Sequence, residues 1–190
     1  MPKQPKVNGN ALPYVESLEP RPLNSIWLIV IHCTELPDLN TAREYGEQIL
    51  YPDSGTGNSG HFYIERYGRI EQWVPIDRVA HHVKNFNNNS IGIELDNAGR
   101  YPEWFNSNNQ FMKEPYTPEQ LDSLLALLNS LTEQLPSLSS ISGHSVLDTA
   151  LIRATDDSSK MVPRKQDPGP MFPWKKILEK TSLKWFEPEK

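Results

Sequence analysis

A single-domain α/β fold is what this sequence predicts, and three observations predict it. The chain has 190 residues, 37% of them hydrophobic, which is enough for one compact domain with a real core. Two apolar runs, "IWLIVIHCT" (26–34) and "SIGIEL" (90–95), have the length and β-branched content of buried strands. Downstream of both lies "TPEQLDSLLALLNSLTEQLP", whose leucines fall on one stripe of a helix that would pack on the sheet.

The elements follow in order. Residues 1–25 are proline-rich and read as an irregular N-terminal leader, ahead of a domain over 26–184 and a tail at 185–190. The run from Ile26 to Thr34 reads as a central strand with His32 at its end. "TAREYGEQILY" (41–51) sets Ala42, Tyr45, Ile49 and Leu50 near helical spacing, and "PDSGTGNSG" ends it with loop chemistry. "HFYIERYGRIEQWVP" (61–75) alternates on both sides of "RYGR", the pattern of a β-hairpin. Ser90–Leu95 is the next strand, entered from the polar "NFNNN". Residues 96–116 are too rich in Asn, Gly and Pro for regular structure and too long for an ordinary connection, so they read as a functional rim loop. The long helix takes Thr117 as N-cap and Pro118 in its first turn, with Leu121, Leu124, Leu125, Leu128 and Leu131 on one stripe. "SISGH" is a short strand ending at His144; a polar loop and a last helix near "WKKILEKT" complete the chain.

Composition excludes several classes. A formal charge of -5 and a pI near 5.5 argue against nucleic acid as a partner. Cys33 is the single cysteine, so no internal disulfide supports the fold. No apolar run reaches the length of a signal peptide or a membrane span. The expectation is a soluble, cytoplasmic monomer with no membrane partner, or a periplasmic or secreted one if the chain is a trimmed mature form.

His32, Glu94 and His144 each sit near the end of a short strand, where open sheets place their chemistry. Two imidazoles and one carboxylate, with a coordination position left for water, form the ligand set of a catalytic zinc site, and Asp167 would be the third ligand. These residues are scattered, unlike a compact HExxH motif, so spacing alone does not decide.

The fragments "VIHCT", "GHFYIERYGRI", "VPIDRVAHH", "NNNSIGIEL", "ISGH" and "RKQDPGP" stand in the order seen in one family. From roughly Ile26 to Trp174 the chain resembles the AmpD-type N-acetylmuramoyl-L-alanine amidases, zinc enzymes related to the peptidoglycan recognition proteins. The resemblance implies a central mixed β-sheet flanked by helices, with a Zn2+ site in a surface groove that binds the muramoyl-peptide of peptidoglycan or a muropeptide. It implies His32, His144 and Asp167 as zinc ligands, and Glu94 and Lys165 as the catalytic pair. Zinc lowers the pKa of bound water toward about 7 and polarises a carbonyl. Glu94 would move the proton from water to the leaving amine of L-alanine, and Lys165 would steady the oxyanion. The prolines and glycine of "RKQDPGPMFPW" would hold a tight turn, and Lys165 and Asp167, two positions apart, point the same way if that segment is extended.

Blander readings stand beside these. Cys33, next to His32 on a strand, faces the other side and reads as a buried, inert thiol. His82 aligns with a family histidine near the substrate and reads as a substrate contact; His81 reads as structural, and His61 as a core or ligand-supporting group. Asn89 is a further candidate contact from the Asn run. Trp104, with Phe105 and Phe111, is either a sugar-stacking rim or an aromatic folded back on its own domain. The longer segment 145–166 brings Asp148, Asp156 and Asp157 as rival carboxylates, of which none has the "DPGP" context of Asp167, and its length would reshape one wall of the groove. Two other functions share these features: a peptidoglycan-binding module without catalysis, and a zinc peptidase acting on the stem peptide.

Overall fold

The apolar runs become the centre of one seven-stranded sheet. A computed structural model describes residues 4–189. In chain order the sheet strands are β1 (Val7–Gly9), β2 (Leu28–Cys33), β3 (Phe62–Ile64), β4 (Ile70–Gln72), β5 (Ser90–Leu95) and β6 (Ser140–Gly143). β7 (Leu151–Arg153) and β8 (Met161–Pro163) form a separate antiparallel hairpin, and β9 (Lys184–Trp185) returns to the main sheet. The spatial order is β1-β4-β3-β5-β2-β6-β9. β3 and β4 pair antiparallel and the other pairs are parallel, which makes the sheet mixed. Among the described residues the α-helices are α1 (Leu39–Gly46), α2 (Pro118–Gln134), α3 (His144–Leu147) and α4 (Trp174–Glu179).

Period-two alternation sorts the two central strands by face. Ile29, Ile31 and Cys33 of β2 and Ile91, Ile93 and Leu95 of β5 join the main core beneath α2. The opposite face carries Leu28, Val30 and His32 of β2, and Ser90, Gly92 and Glu94 of β5. Polar and small residues therefore gather on one side of strands that are otherwise buried. α2 begins where expected: the Thr117 side chain accepts from the Gln120 amide, and the Gln120 side chain reaches back to the Thr117 backbone. Its buried leucines, each worth about 1.5–3 kcal/mol of transfer free energy, fix that face to the sheet.

Three expectations need correction. The leader is not simply irregular: Val7–Gly9 pairs with β4, and Leu12, Tyr14, Val15 and Leu18 bury themselves in a second core cluster with Trp73 and α1. Its prolines are interleaved with apolar residues that have a surface to cover. The tail likewise starts too early in the sequence reading, because Trp185 pairs with Ile141 and Phe186 packs edge-on against Trp27. Residues 1–3 of that leader and residue 190 of that tail lie outside the described residues. The first helix runs over Leu39–Gly46, capped by Asp38, and leaves Tyr45, Ile49 and Leu50 exposed. It stops at Gly46, where Trp73 lies 3.3 Å from the position of an added Cβ.

Candidate active site

Backbone register brings the first residues together. His32 of β2 lies directly opposite Glu94 of β5, and Ile31 lies opposite Gly143 of β6, so His144 follows beside His32. All three stand at the carboxyl ends of adjacent parallel strands. Asp167 arrives from the turn after β8. That turn is held on several sides: the Ser145 amide donates to the Asp167 carbonyl (3.0 Å) and the Tyr116 hydroxyl donates to the Pro168 carbonyl (2.7 Å). Gly169 has φ +82°, and an added Cβ there would meet Met112 Sδ at 2.6 Å, so both conformation and space require glycine.

The side chains converge closely. His32 Nδ1 is 2.9 Å from His144 Nδ1, and each is 3.0 Å from Asp167 Oδ2. All three residues are buried. Metal bonds of about 2.0–2.1 Å in a tetrahedral site set ligand atoms about 3.3 Å apart, close to the separations here. Asp167 Oδ1 and His144 Nε2 find no hydrogen-bond partner among the described residues, although both are buried. The donor set and its spacing fit a metal ion.

The electrostatics agree with that use. Burial, then the charge of His144, pull His32 down to about 4 against the opposing pull of Asp167, so its lone pair is free at neutral pH. Burial by itself would raise Asp167; the neighbouring His144 and His32 imidazoles and Lys165 outweigh it and hold the carboxyl well below the ordinary range. Glu94, 3.9 Å from His32 Nδ1, is pushed up to about 8 by burial and by Asp167, with Lys165 opposing. A cation bound beside it would lower that value again. The cluster forms the floor of a cavity of about 590 Å³, which Glu94 and Lys165 also line, with Tyr45, Tyr51 and Arg164 in its walls.

Residues 22–170 match the family described as N-acetylmuramoyl-L-alanine amidase. The chain belongs to this amidase family. It is 35% identical over 130 residues to the 1,6-anhydro-N-acetylmuramyl-L-alanine amidase AmpD of Haemophilus influenzae, a match covering 63% of this chain and 56% of that protein. The chain spans about half the length of the curated relatives it matches. Two solved structures share the fold. The amidase LysC from Clostridium intestinale superposes with a TM-score of 0.65 at 24% identity, over 95% of this chain and 100% of that one. AmiD from E. coli, in complex with anhydro-N-acetylmuramic acid-L-Ala-D-gamma-Glu-L-Lys, gives 0.61 at 23% identity, over 84% and 58%.

Within this amidase fold the remaining candidates separate. Cys33 is buried in the main core, and burial raises its thiol well above the ordinary value. His61 is fully buried, accepting from the Gly92 amide. His82 lines the cavity, yet both its ring nitrogens have partners inside the protein. Asn89 and Trp104 are not brought to the cavity: the Asn89 amide donates to the Ser25 carbonyl, and the Trp104 indole donates to the Glu35 carbonyl while its ring packs on the second core cluster. An aromatic ring this close to an apolar cluster buries more area there than on an open rim. The rival carboxylates are engaged elsewhere, Asp148 with Arg164, Asp156 with Ser107, and Asp157 with Ser159.

Sequence reasoning missed the supports. Glu35 and Arg100 form a buried bidentate pair, and Arg100 also donates to the Pro163 carbonyl and to Gln110, tying the 96–116 loop, which does not line the cavity, to the segment that leads into Lys165. Arg21, in the leader, donates to the carbonyls of Ile76, Asn87 and Ser90. A lone arginine among prolines carries no local signal. Ser90 reads in the sequence only as the first residue of the Ser90–Leu95 strand.

Proposed function

We propose that this protein hydrolyses the amide bond between N-acetylmuramic acid and L-alanine, using a zinc ion held by His32, His144 and Asp167. The observation that carries the reading is the convergence of those ligand atoms, within 3.0 Å of one another, on the floor of a cavity shared with Glu94 and Lys165. When bound, zinc supplies an activated water and a Lewis acid for the carbonyl.

The protein's own groups do the rest. Glu94 takes the proton of the attacking water and returns it to the L-alanine nitrogen as that bond breaks; a pKa pushed up toward 8 and lowered by a neighbouring cation suits both tasks. The Lys165 ammonium faces the carbonyl oxygen as it gains charge. A muropeptide is the substrate class supported by the relatives, since AmpD of Haemophilus influenzae is named for the anhydro-muramyl amide and the AmiD structure holds an anhydro-muramyl peptide. The protein then acts as a cytoplasmic monomer on soluble muropeptides; among the described residues no helix is long and apolar enough to cross a membrane.

The test is mass analysis of products from anhydro-muropeptide and from intact sacculi, with and without a chelator. An intact peptide beginning with L-alanine, lost on chelation and regained with zinc, is the expected result. Cleavage within the stem peptide would make the protein a peptidase, and binding without products would make it a recognition module.

A further inference from the structure

His82 does not stand free in the cavity but against the back of a metal ligand. Its Nδ1 lies 2.9 Å from His32 Nε2, the ring nitrogen that points away from the cluster, and its Nε2 lies 3.2 Å from Ser90 Oγ. Ser90 Oγ in turn donates to the Phe86 carbonyl at 2.7 Å. Carbonyl oxygen only accepts, and this fact propagates inward. The single Ser90 proton is committed to Phe86, so Ser90 must accept from His82 Nε2–H. His82 Nδ1 then carries no proton and accepts from His32 Nε2–H. His32 Nδ1 is left as a bare lone pair, aimed at His144 and Asp167.

We propose that His82 is a positioning residue, and that the His82–Ser90–Phe86 relay fixes the tautomer and ring orientation of His32 for metal binding. A metal-binding histidine is commonly held this way through its distal N–H; here the acceptor is a second imidazole, whose own polarity a hydroxyl and a backbone carbonyl determine. The fold builds His82 in deliberately. Its backbone amide and that of Val83 both donate to Asn87 Oδ1, at 3.0 and 2.8 Å, which fixes the loop. Its ring lies over Gly92, where an added Cβ would approach to 2.6 Å. The alternation of β5 therefore has a purpose at each outward position: Ser90 orients the relay, Gly92 makes room for it, and Glu94 faces the cavity.

This inference rests on the zinc reading, and its test separates the two. In metal-free protein labelled with 15N-histidine, long-range 1H–15N NMR should find His32 as the Nε2–H tautomer; an Nδ1–H tautomer would overturn the relay without any substitution. By chelator competition, His82→Phe should bind zinc about 10–100-fold more weakly. His82→Gln, whose amide can accept from His32 and donate to Ser90, should recover most of that loss. Gly92→Ala should resemble His82→Phe, because the ring is displaced. Folded His82→Phe with unchanged zinc affinity would overturn the proposal. If the wild type binds no zinc yet shows the Nε2–H tautomer, the relay stands and the zinc reading falls.

Discussion

The floor of the cavity and the flank beside it are built by different means. On the floor, His32, Glu94 and the Gly143–His144 junction sit on adjacent parallel strands, and their relative positions are set by the backbone ladder. The flank, residues 96–116 and the β7–β8 hairpin, lies outside the cavity lining and leans on side-chain contacts: the buried Glu35–Arg100 pair, Asp156 accepting from Ser107 and Asn108, and Gln166 donating to Gln110. The difference teaches that side-chain contacts hold the flank where the backbone ladder holds the cluster, so polar substitutions in the flank leave the strand register of the cluster in place. The longer segment 145–166 reaches the cavity through Arg164 and Lys165, and folds partly into a hairpin where a plain polar loop is expected from sequence.

Substitutions can break this contrast, and the largest effect belongs to the floor. His144→Ala is expected to abolish both zinc binding and hydrolysis; elemental analysis of the reconstituted variant at full occupancy would refute the assignment. Glu94→Gln comes next, with metal and fold retained and kcat lower by about 10²–10⁴-fold. It also has a pH signature. In the metal-free protein burial raises the Glu94 pKa from 4.5 to about 8, so the unfolded chain gives up this proton first and the folded state loses stability as pH climbs through that range. The Tm advantage of Glu94→Gln over wild type should therefore grow between those values; a constant difference would mean the carboxyl is not perturbed by its surroundings.

Lys165 and Arg100 sharpen the boundary between the two regions. Lys165→Met should leave zinc affinity nearly unchanged and lower kcat by about 10²–10³-fold, as for loss of one oxyanion donor. Parallel loss of zinc would mean instead that Lys165 supports the turn presenting Asp167. Arg100→Met should change chemistry least: it leaves the Glu35 carboxylate buried and unpaired, costing about 3–5 kcal/mol, or roughly 10 °C in Tm for a chain of this size. Zinc stoichiometry should stay at one, with KM rising more than kcat falls. Adding Glu35→Met should restore most of the stability, because it removes the stranded charge.

The sequence by itself determined the elements whose signals are local. β2 and β5 announced themselves as apolar runs because both faces are buried, and α2 because Thr117, Pro118 and the leucine stripe act within a few turns. The family fragments likewise pointed to His32, Glu94, His144, Lys165 and Asp167 before any geometry was known. Only the tertiary structure decided that 112 residues of separation between His32 and His144 close to 2.9 Å, since that depends on strand register and crossovers, not on neighbours in sequence. It also turned Asn89 and Trp104 inward and set His82 behind His32. A polar side chain in a loop finds its partner through the whole fold, and its type alone does not say which carbonyl or ring nitrogen will be within reach.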